Sequence, residues 1–413
     1  MTDRWAHAAA LDAIDPLASL ATEFDLPDGM IYLDGNSLGP VPTRVRERLT
    51  HVVNSEWGHG LIRSWTDAGW FSLPMTVGDR IAPLIGAGPG EVAVGDSTSV
   101  NLFKGLAAAL HLNAGRRVLL ADAGNFPTDA YMAQGLAELV PDVRLRYLEP
   151  GQPAATALDG DVAVLLLSHV DYRTARVQDM ARTTADAHER GALVLWDLSH
   201  TTGAVPCDLM AADADIAVGC TYKYLNGGPG APAFSWVHPR HALRVRQPLS
   251  GWMGHASPFA FTREYEPAAG ARRLVAGTPH VLSLAALDEA LTLWSTVDLE
   301  ALWAKSRAMT TLFIEAVEAS CTSYGLTLIS PRDATQRGSH VSFDLPEGGF
   351  EVVQALIARG VIGDFRAPAT MRFGFAPLYL SFTQVMHAVG HLHDILATRA
   401  WDQPRFRTRG LVT

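Results

Sequence analysis

Lysine is nearly missing from this chain. Of 33 basic residues in 413, only three are lysines (Lys104, Lys223 and Lys305) and the rest are arginines. Arginine thus serves almost everywhere a cation is needed, and a retained lysine draws notice wherever its surroundings are not ordinary surface. Cysteine is equally scarce. Three residues (Cys207, Cys220 and Cys321) are too few and too scattered for a disulfide framework or a zinc site. No apolar run is long enough for a transmembrane helix. The segment Met1-Thr2-Asp3-Arg4-Trp5 lacks the basic-then-apolar layout of a secretory signal, so a cytoplasmic location is expected. Positive charge is in deficit: a net charge of −10 argues against nucleic-acid or anionic-membrane partners. Internal repeats and low-complexity tracts are also missing.

What is present fits a packed enzyme. A hydrophobic fraction of 48% is ordinary for a globular core, and the length allows one large and one smaller domain. The stretch Thr221-Tyr222-Lys223-Tyr224-Leu225-Asn226-Gly227-Gly228-Pro229-Gly230 is the most informative. Lys223 follows the apolar run Ile216-Ala217-Val218 and precedes a glycine-rich turn. A buried amine there suits a Schiff-base nucleophile, a role arginine cannot fill because its guanidinium stays charged. A solvent-facing lysine at a strand end is the competing reading. Upstream, Asp197 closes the run Ala192-Leu193-Val194-Leu195-Trp196, and His200 follows in Trp196-Asp197-Leu198-Ser199-His200. Ligands of open α/β sheets sit beyond the carboxyl ends of the strands. An acid and a lysine at neighbouring strand ends meet the needs of pyridoxal phosphate: the lysine forms the imine and the acid keeps the pyridine nitrogen protonated. Taken alone, Asp197 also reads as a helix N-cap.

A phosphate site is readable at Gly95-Asp96-Ser97-Thr98-Ser99-Val100-Asn101, between strand-like Glu91-Val92-Ala93-Val94 and a helical stretch through Leu110. Hydroxyls, free N–H groups and a helix dipole at such a junction favour an anion, although plain capping explains this segment taken alone. Phe126-Pro127-Thr128-Asp129 follows strand-like Arg117-Val118-Leu119-Leu120; its ring is either a stacking surface for a planar cofactor or a buried loop residue.

The alternation of segments predicts an α/β fold. Strand-like runs span Val162 to Ser168, Ala192 to Trp196, Ile216 to Cys220 and Phe234 to Val237, with a helical stretch over Val177 to Arg190. This pattern argues for a mostly parallel sheet with helices on both faces. After Pro279 a long helical stretch runs through Ala319. Strand-like Leu326 to Ser330, His340 to Leu345 and Val361 to Arg366 follow, with helices at Glu351 to Arg359 and Phe382 to Thr398. The expected division is an N-terminal arm and helix joining the small domain (1–49), a large cofactor-binding domain (50–279) and a small α+β C-terminal domain (280–413). The tail from Trp401 is expected at the surface.

Four stretches together resemble the kynureninases, pyridoxal-phosphate hydrolases of the aspartate-aminotransferase fold (fold type I). They are Asn36-Ser37-Leu38-Gly39-Pro40, Phe126-Pro127-Thr128-Asp129, Trp196 to His200, and Thr221 to Gly230. The similarity runs from near Ile31 to near Tyr379. It implies a large domain with a mostly parallel sheet of the seven-stranded type. It assigns Lys223 as the cofactor-bearing lysine and proton shuttle, Asp197 as partner of the pyridine nitrogen, and His200 beside the ring. Thr98, Ser99, Tyr222, Trp252 and Thr278 match phosphate-side positions, with Trp252 and Thr278 expected from the second subunit of a homodimer. Phe126 matches the stacking ring, with Pro127, Thr128, Asp129 and Ser168 close by. Arg372 matches the clamp on the substrate α-carboxylate, where a guanidinium gives bidentate recognition. Asn36, Ser37 and Trp65 complete the substrate-binding set. Tyr222 is the candidate acid for the γ-carbonyl, with a purely structural phosphate contact as the alternative.

The implied reaction is hydrolytic β,γ-cleavage of L-kynurenine to anthranilate and L-alanine, in tryptophan catabolism and supply of NAD precursors. Thr278 and the run Leu61-Ile62-Arg63-Ser64-Trp65 resemble the kynurenine-preferring rather than the 3-hydroxykynurenine-preferring version. The competing reading within the fold is a cysteine desulfurase or selenocysteine lyase, with Cys321 the only plausible nucleophile by position. A non-catalytic binding protein is opposed by the intact Lys223, Asp197 and Arg372.

Overall fold

The computed structural model describes residues 2–410. In chain order the strands are β1 (Ile31–Tyr32), β2 (Val92–Val94), β3 (Val118–Asp122), β4 (Arg144–Leu148), β5 (Val162–Ser168), β6 (Leu193–Asp197), β7 (Ile216–Gly219), β8 (Phe234–Val237), β9 (Thr327–Leu328), β10 (His340–Asp344), β11 (Val361–Ile362), β12 (Asp364–Arg366) and β13 (Thr370–Gly374). The α-helices are α1 (Thr2–Ala13), α2 (Thr43–His51), α3 (Ser64–Asp67), α4 (Leu73–Ile81), α5 (Thr98–Leu112), α6 (Pro127–Leu139), α7 (Met180–Glu189), α8 (Val281–Trp294), α9 (Leu299–Cys321), α10 (Gly349–Ile357) and α11 (Phe382–Ala397). They fall into two compact units. The larger takes Arg44–Tyr172 and Gln178–Ser295; the smaller takes the N-terminal residues to Thr43, Arg173–Val177 and the chain from Thr296.

The larger unit is built on a seven-stranded sheet in the order β2-β8-β7-β6-β5-β3-β4. The pairs β4/β3, β3/β5, β5/β6 and β6/β7 are parallel, while β8 runs antiparallel to both β7 and β2. Hence β2 points the same way as β7, and the carboxyl ends of β2 and β5–β7 share one edge of the sheet. The central strands β5 to β8 are apolar almost without interruption because they are covered on both faces. Edge strand β4 carries Arg144 and Arg146 and stays largely accessible, which blunts a bare edge. Helices α5, α6 and α7 pack on the sheet. At Gly105 of α5 an added Cβ would lie 2.3 Å from Leu195 Cδ1, so the glycine sets how closely α5 approaches β6. Leu102, Leu106, Leu119, Val164, Leu166, Leu195 and Ile216 form the core between them. Each such buried aliphatic side chain contributes roughly 1.5–3 kcal/mol.

The smaller unit holds a four-stranded antiparallel sheet, β12-β13-β10-β9, and the parallel pair β1–β11. Helix α11 starts with a capping box between Ser381 and Gln384, and Asp12 at the end of α1 accepts from the Phe382 and Thr383 N–H groups at 2.7 and 2.9 Å. A carboxylate on the first turn satisfies donors that a helix leaves open and complements its dipole.

Four readings of the sequence need correction. The stretch after Pro279 is two helices, α8 and α9, with Asp298 accepting from Glu300 N and Ala301 N to start the second. Moreover α8 packs on α4 within the larger unit, so the C-terminal division falls after Ser295 instead of at 279, and the N-terminal one after Thr43. The run Val361 to Arg366 splits at Gly363 into β11 and β12, which belong to different sheets. In the tail, Phe406 is buried.

Candidate active site

Local sequence explains why the chemistry-bearing side chains gather at one sheet edge. Asp197 is the last residue of β6, paired in register with Ser168 at the end of β5 and Val218 of β7. Strand β7 then ends, and Thr221 to Leu225 form the turn that carries Lys223. Gly227 N donates to Thr221 O at 3.0 Å and Asn226 N to Lys223 O at 3.1 Å, closing this turn. Asn226 sits at φ +58°, a left-handed conformation that asparagine tolerates better than most residues.

Lys223 Nζ lies 2.7 Å from His200 Nε2. Asp197 is buried, and its Oδ1 accepts from Ser199 N at 2.8 Å and Ser199 Oγ at 2.6 Å. No hydrogen bond among the described residues engages Oδ2, which leaves one carboxylate oxygen for a ligand. The same Ser199 Oγ accepts from Cys220 N at 3.2 Å, so one hydroxyl ties the ends of β6 and β7 together. Burial pushes the Asp197 carboxyl up, while the Ser199 bonds and the Lys223 charge oppose it.

A second buried acid stands beside it. Asp129, in the first turn of α6, accepts from Asn125 Nδ2 at 3.1 Å, and Asn125 Oδ1 accepts from Ser168 N at 3.2 Å. Burial first, and then the charge of Asp197, push Asp129 well above the ordinary carboxylate range, with Lys223 opposing. Tyr222 hydrogen-bonds with Cys220; the neighbouring Cys220 sulfur, burial and Asp197 all push its phenol up, so it keeps its proton at neutral pH. Phe126 precedes Pro127, the first residue of α6, and its ring is exposed, in edge contact with Tyr172. It is therefore no buried loop residue. Thr128 is half-buried beside it.

The hydroxyl cluster divides its roles. Ser97 caps α5, its Oγ accepting from Val100 N at 3.3 Å, while Thr98 and Ser99 form the first turn. Strand β2, which leads into them, lies two positions from β7, a lateral offset of about 10 Å at the usual strand spacing. The donor set thus offers a helix N-terminus with hydroxyls for a phosphate, an exposed aromatic face, a buried carboxylate with a spare oxygen, and a lysine against an imidazole. Pyridoxal phosphate fits these residues.

Arg372, Asn36 and Ser37 form a separate cluster in the smaller unit. Arg372 is almost fully buried; its Nε donates to Asp364 Oδ1 at 2.7 Å and its Nη2 to Asp364 Oδ2 and, at 3.2 Å, to Ser37 Oγ. Asn36 is 1% exposed, and neither its amide nitrogen nor its amide oxygen has a partner. It lies against Gly374, where an added Cβ would stand 2.1 Å from Asn36 Oδ1. Trp252 and Thr278 are exposed, and Trp65 makes an edge contact with Trp70; none of the three joins the hydrogen-bonded cluster around Lys223 among the described residues.

Sequence reasoning missed Asn125, Ser199, Cys220 and Asp364. Asn125 and Ser199 adjoin recognised stretches, and a buried carboxylate needs donors nearby, which was the available signal. Cys321, the desulfurase candidate, is fully buried at the end of α9, and burial raises its thiol. Burial likewise raises Cys220, and pushes Cys207 up to about 12. A nucleophilic cysteine needs the opposite environment.

Residues 302–392 match the kynureninase C-terminal domain model. The chain is 52% identical over 412 residues to the kynureninase of Burkholderia pseudomallei (strain 1106a), covering 98% of this chain and 99% of that protein. It is 51% identical over 409 residues to that of Pseudomonas fluorescens, covering 98% of each. Among solved structures it is similar in fold to the apo cysteine desulfurase of Thermococcus onnurineus NA1 (TM-score 0.77, 17% identity, 92% of this chain and 98% of that one). It is also similar to the cystine C-S lyase C-DES in complex with cysteine persulfide (TM-score 0.77, 15% identity, 89% and 98%). At these identities the structural likeness concerns fold alone. The chain belongs to the kynureninase family of pyridoxal-phosphate-dependent enzymes.

Proposed function

We propose that this chain hydrolyses L-kynurenine to anthranilate and L-alanine with pyridoxal 5′-phosphate as cofactor, a step of tryptophan catabolism. The observation that carries the reading is the meeting of Lys223, His200, Asp197 and Asp129 at the carboxyl ends of adjacent strands. When bound, the cofactor supplies an electron sink for the carbanion formed at the substrate α-carbon.

The chain's own residues do the rest. Lys223 would hold the cofactor, and its Nζ would carry the proton moved at the substrate, with His200 Nε2 at 2.7 Å as its neighbour. Asp197 holds the ring nitrogen in its protonated form through the oxygen that Ser199 leaves unengaged. Thr98 and Ser99, at the start of α5, take the phosphate with Tyr222, Trp252 and Thr278. Phe126 would offer its exposed ring to the cofactor, with Pro127, Thr128, Asp129 and Ser168 as the other residues holding it. Arg372 takes the substrate α-carboxylate, with Asn36 and Ser37 contributing polar contacts and Trp65 an apolar one. Tyr222 donates a proton at the γ-carbonyl oxygen, in keeping with a phenol that stays neutral.

A homodimer is part of the proposal. Trp252, Phe259 and Phe261 expose their rings within one short segment (40, 64 and 82% exposed), as a surface awaiting cover does. A cytoplasmic location accompanies it. No α-helix among the described residues is long and apolar enough to cross a membrane. L-kynurenine is proposed as the preferred substrate over L-3-hydroxykynurenine.

The test is to record the visible absorbance of the purified protein and then add L-kynurenine while following anthranilate fluorescence. L-3-hydroxykynurenine is run in parallel. A visible cofactor band with fast anthranilate release is expected. A band without anthranilate, together with sulfide release from L-cysteine, would overturn the reading in favour of a desulfurase.

A further inference from the structure

The carboxylate site in the smaller unit contains more charge than a simple clamp needs. Asp364 and Arg372 face each other across the β12/β13 register. Arg366 Nη2 reaches Asp364 Oδ2 at 2.7 Å, and Ser37 Oγ donates to the same oxygen at 3.1 Å. Asp34, three residues before Ser37, completes the set: it hydrogen-bonds with the Ser37 side chain and feels Asp364, Arg372 and Arg366. Its Oδ1 is buried without a partner, and so are both amide atoms of Asn36 two residues later. Unpartnered buried polar atoms beside a guanidinium indicate a site built for a polar ligand.

The groups facing Asp34 come from every neighbouring element. They are Tyr32 on β1, Ser37 in the following turn, Asp364 and Arg366 on β12, and Arg372 on β13. The Tyr379 hydroxyl stands over the adjacent Gly35. With both aspartates ionised, the two guanidiniums and two carboxylates cancel. An incoming carboxylate would then meet a neutral, partly buried cluster, a poor environment for a third anion. With Asp34 protonated, the cluster carries one positive charge, which the ligand neutralises.

We propose that Asp34 is a positioning residue for carboxylate recognition, taking up the proton that leaves the cluster cationic when a ligand carboxylate docks on Arg372. The inference rests on the reading of Arg372 as the clamp. The proton comes from solvent and resides on the Asp34 carboxyl; no covalent bond changes. Burial and the charge of Asp364 raise Asp34 to about 7, so the exchange falls in the working range of an enzyme. A docked anion raises its proton affinity further, and by linkage the protonated form binds the anion more tightly. Affinity therefore falls as pH rises. Between about pH 6 and 8 the protonated fraction drops from about nine-tenths to about one-tenth, a loss of about ten-fold in affinity.

The probe is the desamino analogue of kynurenine, which keeps the carboxylate but has no amine to titrate, with its carboxamide as the neutral control. Inhibition constants against L-kynurenine are measured on the holoenzyme over that pH range. The carboxylate should weaken about ten-fold and the carboxamide stay flat. Asp34→Asn, which mimics the protonated form, should hold the carboxylate constant near its low-pH value throughout. Calorimetry of the unaltered enzyme in buffers of different ionisation heat should show proton uptake near neutral pH, and decides the matter should Asp34→Asn fail to fold. A flat profile, no proton uptake, or an Asp34→Asn enzyme that keeps the full ten-fold loss would overturn the proposal. Arg372→Ala separates the two readings. If it leaves carboxylate inhibition unchanged, the clamp fails and Asp34 with it; if inhibition depends on Arg372 but not on pH, only the role of Asp34 fails.

Discussion

Replacing Ser199 with alanine tests the acid proposed to hold the cofactor ring without touching that acid. The hydroxyl donates to Asp197 Oδ1 at 2.6 Å and accepts from Cys220 N at 3.2 Å, while the backbone bond from Ser199 N at 2.8 Å survives the change. A hydrogen bond to a charged group is worth roughly 1.5–3 kcal/mol, or about 10- to 150-fold in the balance between ionised and neutral carboxyl. Burial already raises Asp197 and the Ser199 bonds oppose it, so losing one raises it further. A carboxyl that protonates more readily fails first at low pH. The acid limb of kcat, read by anthranilate fluorescence, should therefore move to higher pH, with the alkaline limb unmoved. The freed Cys220 N–H also costs about 1–3 kcal/mol of stability, measurable as a lower urea midpoint. Ser199→Thr keeps the hydroxyl and should restore the acid limb. An unmoved acid limb, with kcat within about two-fold at all pH values, would refute the positioning of Asp197 by Ser199, whatever happens to stability.

Lys223→Ala should abolish turnover, to below about a thousandth of the parent rate, and change the visible absorbance of the cofactor-loaded protein; near-normal activity would sink the assignment. Arg372→Ala should raise KM for L-kynurenine by about 30-fold or more with a smaller effect on kcat, since about 2 kcal/mol or more is lost when a buried charge pair to a ligand is broken. That change also leaves the buried Asp364 with Arg366 as its remaining guanidinium and strips the partner of its Oδ1, so Arg372→Lys serves as the folded comparison, and an unchanged KM in both would count against the clamp. Cys321→Ser should leave anthranilate release intact, because its side chain is fully buried at the end of α9 and burial raises its thiol; a large loss of kcat with unchanged thermal stability would reopen the desulfurase reading.

The sheet was legible because burial on both faces writes itself into composition. β5 and β8 occupy the runs read as strands from Val162 to Ser168 and Phe234 to Val237, since a strand covered on both sides needs apolar residues at every position. Asp197 and Lys223 were legible because each follows such a run. Residues whose role depends on pairing between distant segments were not. Asp364 meets Arg372 only through the register of β12 on β13, and that register depends on Gly363 ending β11. An added Cβ at Gly363 would stand 2.9 Å from Arg372 O, a close approach that no periodicity announces. Likewise nothing in α8 itself assigns it to the larger unit: its apolar face suits either side of the break at Ser295, and only its packing on α4 decides.

The scarcity of lysine now has a physical content. Lys104 is buried, its Nζ donating to Asp96 Oδ2 at 2.8 Å and Leu274 O at 2.7 Å. Lys305 is buried too, with Asp15 Oδ2 and Pro377 O both at 2.7 Å. Each ammonium gathers one carboxylate and one carbonyl in a space suited to a compact point charge with donors in three directions. A planar guanidinium would need a wider, flatter cavity there. Lys104 also braces Asp96, which sits at φ +56° immediately before the Ser97 cap, so it bears on the start of α5 where the phosphate is proposed to bind. Lys223 differs from both in kind. Its neighbour at 2.7 Å is an imidazole nitrogen, where each of the other two lysines has a carboxylate. In a chain that otherwise chooses arginine, lysine survives at two positions for its shape and at a third for the imine chemistry proposed for it.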